Sequence, residues 1–278
     1  MNMNKQLTYQ PPFKYKALNL QGLLLFDIDG VIRDVAGSYR RAIQETVADF
    51  SGWKPSIDAI DTLKSEGCWN NDWDASLELL RRRQDDDNHD LKLPNREQVI
   101  EVFSRFYFGG DPDGDPSHWQ GFICNEPLLV QRAFFDELTR MGFAWGFVSG
   151  AEPPSARFVL EKRLGLNNPA LIAMGEAPDK PDPTGLLQLA QQLAGKALGE
   201  STPPIAYLGD TVADVLTVIQ ARQQQPDQQF VSLAVAPPHL HGRDHQTARN
   251  AYEERLKQAG ADKILSCTAA AIETLKGW

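Results

Sequence analysis

The sequence is poor in the residues that would staple a small secreted or zinc-bound fold. It carries three cysteines in 278 residues, Cys68, Cys124 and Cys267. They are far apart, odd in number and form no Cys-x-x-Cys pair, which excludes a disulfide framework and a structural zinc site and fits a reducing compartment. Long apolar runs are missing too, so no segment reads as a bilayer span. Positive charge is in deficit: 28 Lys and Arg against 37 Asp and Glu give a formal net charge of −9. That balance argues against a non-specific partner of nucleic acid or of an anionic membrane, while leaving room for a local positive site. Residues 1–16 are polar, contain Pro11 and Pro12 and hold no stretch of signal-peptide character. The expectation is a soluble, cytoplasmic protein. Its 42% hydrophobic and 23% charged residues are ordinary for a globular chain, and the length suits a large core with a smaller second unit.

What the sequence does have is Leu23-Leu24-Leu25-Phe26-Asp27-Ile28-Asp29-Gly30-Val31-Ile32. An apolar strand ends on two carboxylates two residues apart, with a glycine behind them. Side chains at that spacing leave an extended segment on the same side, so Asp27 and Asp29 can converge. Two like charges held together repel, and a cation is the natural means of keeping both ionised. Gly30 permits a sharp turn there.

Further short apolar runs follow at 143–148, 170–174, 205–208, 230–235 and 263–265. Near-continuous apolar strands are what a parallel sheet buried on both faces requires. Helical stretches lie between them at 127–141, 153–164, 184–193 and 212–222, which predicts a doubly wound, Rossmann-like α/β domain with its ligand at the carboxyl ends of the strands. From Val35 to Gln120 there is no good strand, but helical segments fall at 38–50, 74–83 and 95–108, the last opening on an Asn95/Gln98 capping pattern. The expected organisation is a tail over 1–20, an α/β core from 21–34 and 121–278, and an inserted α-helical cap over 35–120.

Three later segments carry matching chemistry. Ser149-Gly150 follows the second strand, where a hydroxyl and adjoining backbone N–H groups could bind a phosphate. Lys180 sits in Lys180-Pro181-Asp182-Pro183, and Gly209-Asp210-Thr211-Val212-Ala213-Asp214 follows the strand at 205–208. In this last segment two acids fall one helical turn apart; Asp210 could instead be a helix N-cap. Together and in this order, the four segments resemble the motifs of the haloacid dehalogenase superfamily, in its branch with a helical cap after the first motif. The resemblance runs from Gly22 to the C-terminus. It implies a phosphatase in which Asp27 attacks phosphorus to form an aspartyl phosphate and Asp29 serves as general acid and then base. It further implies that Ser149, Gly150 and Lys180 hold the phosphate. A Mg²⁺ cofactor would be bound by Asp27, the backbone carbonyl of Asp29 and Asp210, with Asp214 in direct or water-mediated support.

The implied substrate is a small phosphomonoester. In the cap, Glu66-Gly67-Cys68-Trp69-Asn70-Asn71-Asp72-Trp73 is a polar, aromatic turn whose Asn70 and Asn71 could bind hydroxyls, tilting the expectation towards a sugar phosphate; the asparagines could equally cap a helix and the tryptophans be cap core. Arg33 could face the substrate phosphate or pair with Asp34. A phosphosugar mutase shares the core, but similar mutases place a histidine soon after the first motif, where this chain has Tyr39. A dehalogenase would need neither Asp29 nor the Asp210/Asp214 pair, and a non-catalytic relative would usually have lost the nucleophile or the cation ligands. Asp111, Asp113 and Asp115 lack the spacing of a calcium loop. His239, His241 and His245 read as solvated loop residues, and Arg81 to Arg83 with Asp85 to Asp87 as a charge-balanced helix face.

Overall fold

The computed structural model describes residues 20–66, 69, 71–87 and 91–278. The expectations placed on the N-terminal tail, on Cys68 and on Asn70 lie outside those residues. The chain divides into two compact units, one made of the residues up to Arg33 with Leu128–Trp278, the other of Asp34–Pro127. This division puts residues 121–127 with the helical unit.

The first unit is an α/β fold around a six-stranded parallel sheet. Its strands are β1 (Gly22–Phe26), β2 (Phe143–Val148), β3 (Leu171–Ile172), β4 (Ile205–Gly209), β5 (Phe230–Val235) and β6 (Lys263–Leu265), in the order β3-β2-β1-β4-β5-β6. β1 therefore lies centrally, and the chain moves to opposite sides of it, which creates a switch point where ligands bind in such sheets. Every residue of β1 is buried. Leu23 and Leu25 pack with Leu186 and Leu189 of helix α7 (Thr184–Ala194) and Val218 of helix α8 (Val212–Gln224). On the other face Phe26 meets Phe134 and Phe135 of helix α5 (Arg132–Arg140), ring centroids 5.8 Å away in each case. Two covered faces explain why the strand shows no polar alternation. Phe26 is in register with Phe147 on one side and Leu208 on the other, so the segments following β1, β2 and β4 emerge at one level.

Three elements differ from expectation for identifiable reasons. α5 begins at Arg132 rather than near Pro127, because Leu129 N–H donates to Ile32 O at 2.9 Å and Leu128 bridges Arg33, holding that stretch extended. β3 is cut to two residues because Ala173 N–H turns to Glu176 Oε2 and Met174 N–H to Ala151 O. The helix α6 (Pro153–Arg157) passes into a π-helical turn over Phe158–Arg163. Two further α-helices among the described residues of this unit are α9 (Gln246–Ala259) and α10 (Ala271–Leu275).

The second unit contains α1 (Ala36–Ser51), α2 (Ile57–Ser65), α3 (Asp72–Asp87) and α4 (Arg96–Tyr107). Ala42, Ile43 and Val47 of α1, Leu79 and Leu80 of α3, and Val99 and Phe103 of α4 are buried. Asn95 and Gln98 form the expected capping box. Tyr39, at the position raised against the mutase reading, stacks on Tyr107 with centroids 4.8 Å apart. Arg81, Arg82 and Asp85 are solvent-accessible and charge-paired, Arg81 with Asp85, and the two arginines also reach the buried Glu78. No helix among the described residues is long and apolar enough to cross a membrane.

Candidate active site

The backbone after β1 curls back on itself. Ile28 O accepts from the N–H groups of Val31, Ile32 and Arg33, and Gly30 N–H donates to Arg33 O at 2.9 Å. Gly30 holds this turn at φ +75°, a left-handed conformation that favours glycine. A Cβ there would stand 2.0 Å from Asp210 Oδ2. Gly30→Ala is therefore expected to lower stability by about 1–3 kcal/mol through backbone strain alone, and to disturb Asp210 as well. A urea midpoint that falls at constant slope, with impaired activity, is the expected result; an unchanged midpoint would refute the close approach.

Asp27, Asp210 and Asp214 are buried, and one carboxylate oxygen from each lies within 4.8 Å of the others. Lys180 enters the same cluster, with Nζ 3.1 Å from Asp27 Oδ2 and 2.5 Å from Asp214 Oδ1; its peptide bond to Pro181 is cis. Asp214 is fully engaged. Its Oδ1 takes Lys180, and its Oδ2 accepts from Thr211 N–H at 3.0 Å and Thr211 Oγ1 at 2.6 Å. Thr211, not Asp210, is the N-cap of α8, and Asp214 completes its capping box. Asp210 is left without a donor to its carboxylate among the described residues.

These surroundings set the charges. Burial, with help from Asp214 and Asp29 and against the pull of Lys180, pushes Asp27 up to about 6. Burial and then the charges of Asp214 and Asp27 hold Asp210 well above the usual carboxylate range. Burial alone would also raise Asp214, but the charge and hydrogen bond of Lys180 and the hydrogen bonds of Thr211 lower it. Lys180 is raised despite burial because Asp214 and Asp27 face it. A buried carboxylate lacking a donor, next to Asp27 and within a group of hard oxygen atoms, fits a divalent cation. The site's residues thus fit the metal that the sequence resemblance implies.

The other expected site residues are placed as follows. Ser149 is buried at the end of β2; its Oγ accepts from Ala151 N–H at 3.2 Å, which leaves the hydroxyl proton to donate elsewhere. Gly150 is exposed, and a Cβ there would meet nothing within 4 Å. Asp29 keeps its carboxylate outside the three-acid cluster, where Arg33 Nε donates to its Oδ1 at 2.7 Å. Arg33 is fully buried and bonds Asp29 and Ser155, two partners that the sequence reading, with its phosphate or Asp34, did not name. In the helical unit, Asn71 Oδ1 accepts from Trp73 N–H and Asp74 N–H, capping α3. Trp69 Nε1 donates to Glu66, and Trp73 lies under Arg96.

Sequence reasoning missed Tyr207 and Tyr252. The Tyr207 phenol oxygen accepts from Lys180 at 3.2 Å and lies 2.9 Å from Val148 O and 3.1 Å from Asp214 Oδ1. It ties the segments of Ser149, Lys180 and Asp214 together. Tyr252 of α9 donates to Asp210 O at 3.0 Å. Tyr207 occupies a strand position and looks like any core aromatic in the sequence; Tyr252 lies on a polar helix far along the chain.

A central parallel strand ending in paired carboxylates, a lysine fixed between buried acids and a capped acid pair after β4 define a hydrolase of the Asp-x-Asp type. The chain belongs to the haloacid dehalogenase-like hydrolases, whose family model matches residues 22–222. Among solved structures it is similar to phosphatase Tt82 from Thermococcus thioreducens, at 22% identity and TM-score 0.57 over 84% of this chain and 99% of that one. It is also similar to a HAD family hydrolase from Deinococcus radiodurans R1 with bound phosphate and sodium, at 17% identity and TM-score 0.59 over 92% and 96%. A curated relative, imidazoleglycerol-phosphate dehydratase of Phytophthora nicotianae, is 32% identical over 197 residues; the match takes in 69% of this chain but only 40% of that relative's length.

Proposed function

We propose that this hydrolase is a Mg²⁺-dependent phosphatase of small phosphomonoesters, with Asp27 as nucleophile. The observation that carries the reading is the Asp27 carboxylate at the end of β1, held 3.1 Å from Lys180 and grouped with Asp210 and Asp214. Asp27 and Asp210, with the backbone carbonyl of Asp29, would hold the cation, whose charge when bound offsets the repulsion between a carboxylate and an anionic phosphate. Asp214, with both oxygens committed, acts by fixing Lys180 and stands back from the metal. The Asp27 carboxylate forms the bond to phosphorus as the ester oxygen leaves with a proton from Asp29. Asp29 then takes a proton from the water that attacks the aspartyl phosphate, which restores Asp27 and frees inorganic phosphate. The Ser149 hydroxyl and the Lys180 ammonium bind the equatorial oxygens as charge builds on them.

The inserted helical unit is the cap of this reading and the part that selects the substrate. Asn71 spends its side-chain oxygen on α3, which weakens the argument for a sugar phosphate. The curated relative's name supplies a second candidate, imidazoleglycerol phosphate. The test is phosphate release from sugar phosphates, glycerol phosphate, imidazoleglycerol phosphate and p-nitrophenyl phosphate, each with Mg²⁺ or EDTA. Release that needs the cation is expected. A folded, Mg²⁺-loaded protein that releases phosphate from none of them would remove the phosphatase reading.

A further inference from the structure

Arg33 is the largest fully buried side chain among the described residues. A guanidinium never gives up its proton in a protein, so this charge is permanent and must be matched by partners that are themselves fixed. Its Nε donates to Asp29 Oδ1 at 2.7 Å and its Nη2 to Ser155 Oγ at 2.8 Å. Ser155 is buried at the start of α6, so the fork is anchored to an element that does not belong to the β1 loop. The backbone repeats the link, since Asp29 and Arg33 form a bridge closed by the Gly30 N–H bond to Arg33 O. The loop is tied down again where Thr268 Oγ1 donates to Val31 O at 2.6 Å. Asp29 is thus a carboxylate 26% exposed, with one oxygen held against a buried, rigid cation.

We infer that Arg33 is a positioning residue, which orients the Asp29 carboxyl for proton transfer to the departing ester oxygen and from the attacking water. The inference rests on the phosphatase reading above. Arg33 itself touches neither phosphate nor leaving group; a fixed fork on a planar carboxylate sets direction more firmly than a lysine's point charge would. The proton still passes between Asp29 and the ester oxygen, and Arg33 changes only how well the two are aligned.

The experiment compares kcat/KM for glycerol phosphate and p-nitrophenyl phosphate, because this ratio reports steps through departure of the leaving group. An alkoxide needs a proton to leave, whereas p-nitrophenolate hardly does. In Arg33→Gln, kcat/KM is expected to fall about a hundredfold with the alkyl ester and less than about threefold with the aryl ester, in line with the loss of a general acid. Arg33→Lys should fall between, and inhibition by inorganic phosphate should keep its wild-type strength in both variants. If Arg33→Gln does not fold, Ser155→Ala loosens the fork more gently and should show the same selectivity, with a loss of about tenfold on the alkyl ester. Equal losses on both esters, or weakened phosphate inhibition, would overturn the inference and leave the phosphatase standing. A folded, Mg²⁺-loaded wild type that releases phosphate from neither of these esters nor from the sugar phosphates and imidazoleglycerol phosphate would overturn both.

Discussion

Asp27→Asn is expected to abolish phosphate release, by about ten-thousandfold or more on the pattern of removed nucleophiles, while making the metal-free protein more stable at neutral pH. The two effects have opposite signs because the same carboxylate serves chemistry and strains the fold. Burial and two neighbouring acids raise Asp27 from 3.8 to about 6 in the folded protein, even with Lys180 beside it. A group whose proton affinity rises on folding contributes its stability in full below the unfolded value, and that contribution is lost as pH climbs through the folded one. In EDTA, the wild type should therefore lose on the order of 3 kcal/mol between about pH 4 and pH 7 from this group, and the asparagine variant should not. The isosteric amide can still accept the Ile28 N–H bond that Asp27 Oδ1 receives at 2.7 Å. Phosphate release and urea unfolding at pH 4.5 and 7.5 measure both halves. Residual turnover above about one per cent would remove Asp27 as nucleophile, and a variant less stable than wild type at pH 7.5 would show that the acid cluster is not strained.

The sheet and the linear motifs were legible in the sequence because their signals are local. Five-residue apolar runs predict buried parallel strands, and Asp27, Ser149, Lys180 and Asp210 each stand at or just after the end of such a run or beside a proline-stiffened turn. Helices α2 and α9 escaped for lack of such a signal. α2 is nine residues with Ser56 as its cap, and α9 buries only Leu256 along fourteen residues. What sequence reasoning left out is mostly contact between distant segments. Asp214 reads as direct or water-mediated support for the metal, and the sequence does not show that Lys180 and Thr211 also bond its oxygens. Arg33 reads as a phosphate ligand or a partner of Asp34, and its bond to Ser155, 122 residues away, leaves no mark in the sequence. Tyr207 reads as packing, although its hydroxyl joins three motifs. Spacing along the chain shows which residue types gather at a strand end; which of those acids takes the lysine is decided by a fold that brings Lys180 to Asp27 and Asp214 from another segment.

The proposed division of labour, with Asp210 on the cation and Asp214 on the lysine, gives Lys180→Met its expected outcome. The ammonium lies 3.1 Å from Asp27 Oδ2 and 2.5 Å from Asp214 Oδ1, with only 15% of the lysine side chain exposed. Its loss leaves buried acids facing one another, and breaking a buried pair in this way costs about 3–5 kcal/mol. The loss should appear in full in EDTA. Activity should fall about a hundredfold to a thousandfold, as when one preorganised donor to a developing anion is removed. Divalent cation affinity should move the other way. A lysine ammonium and a metal dication repel when they share the Asp27 carboxylate, so removing the lysine should tighten Mg²⁺ binding by about tenfold or more. Mg²⁺ would then raise the melting temperature of the variant by more than it raises that of the wild type, because a ligand that binds only the folded state stabilises in proportion to the logarithm of its affinity. Thermal unfolding across a Mg²⁺ titration, run beside the phosphate assay, separates the contributions. A variant that loses both activity and Mg²⁺ response would place Lys180 among the supports of the cation site. A variant that loses activity while gaining Mg²⁺ response would assign the lysine to the phosphate and the metal to Asp27 and Asp210.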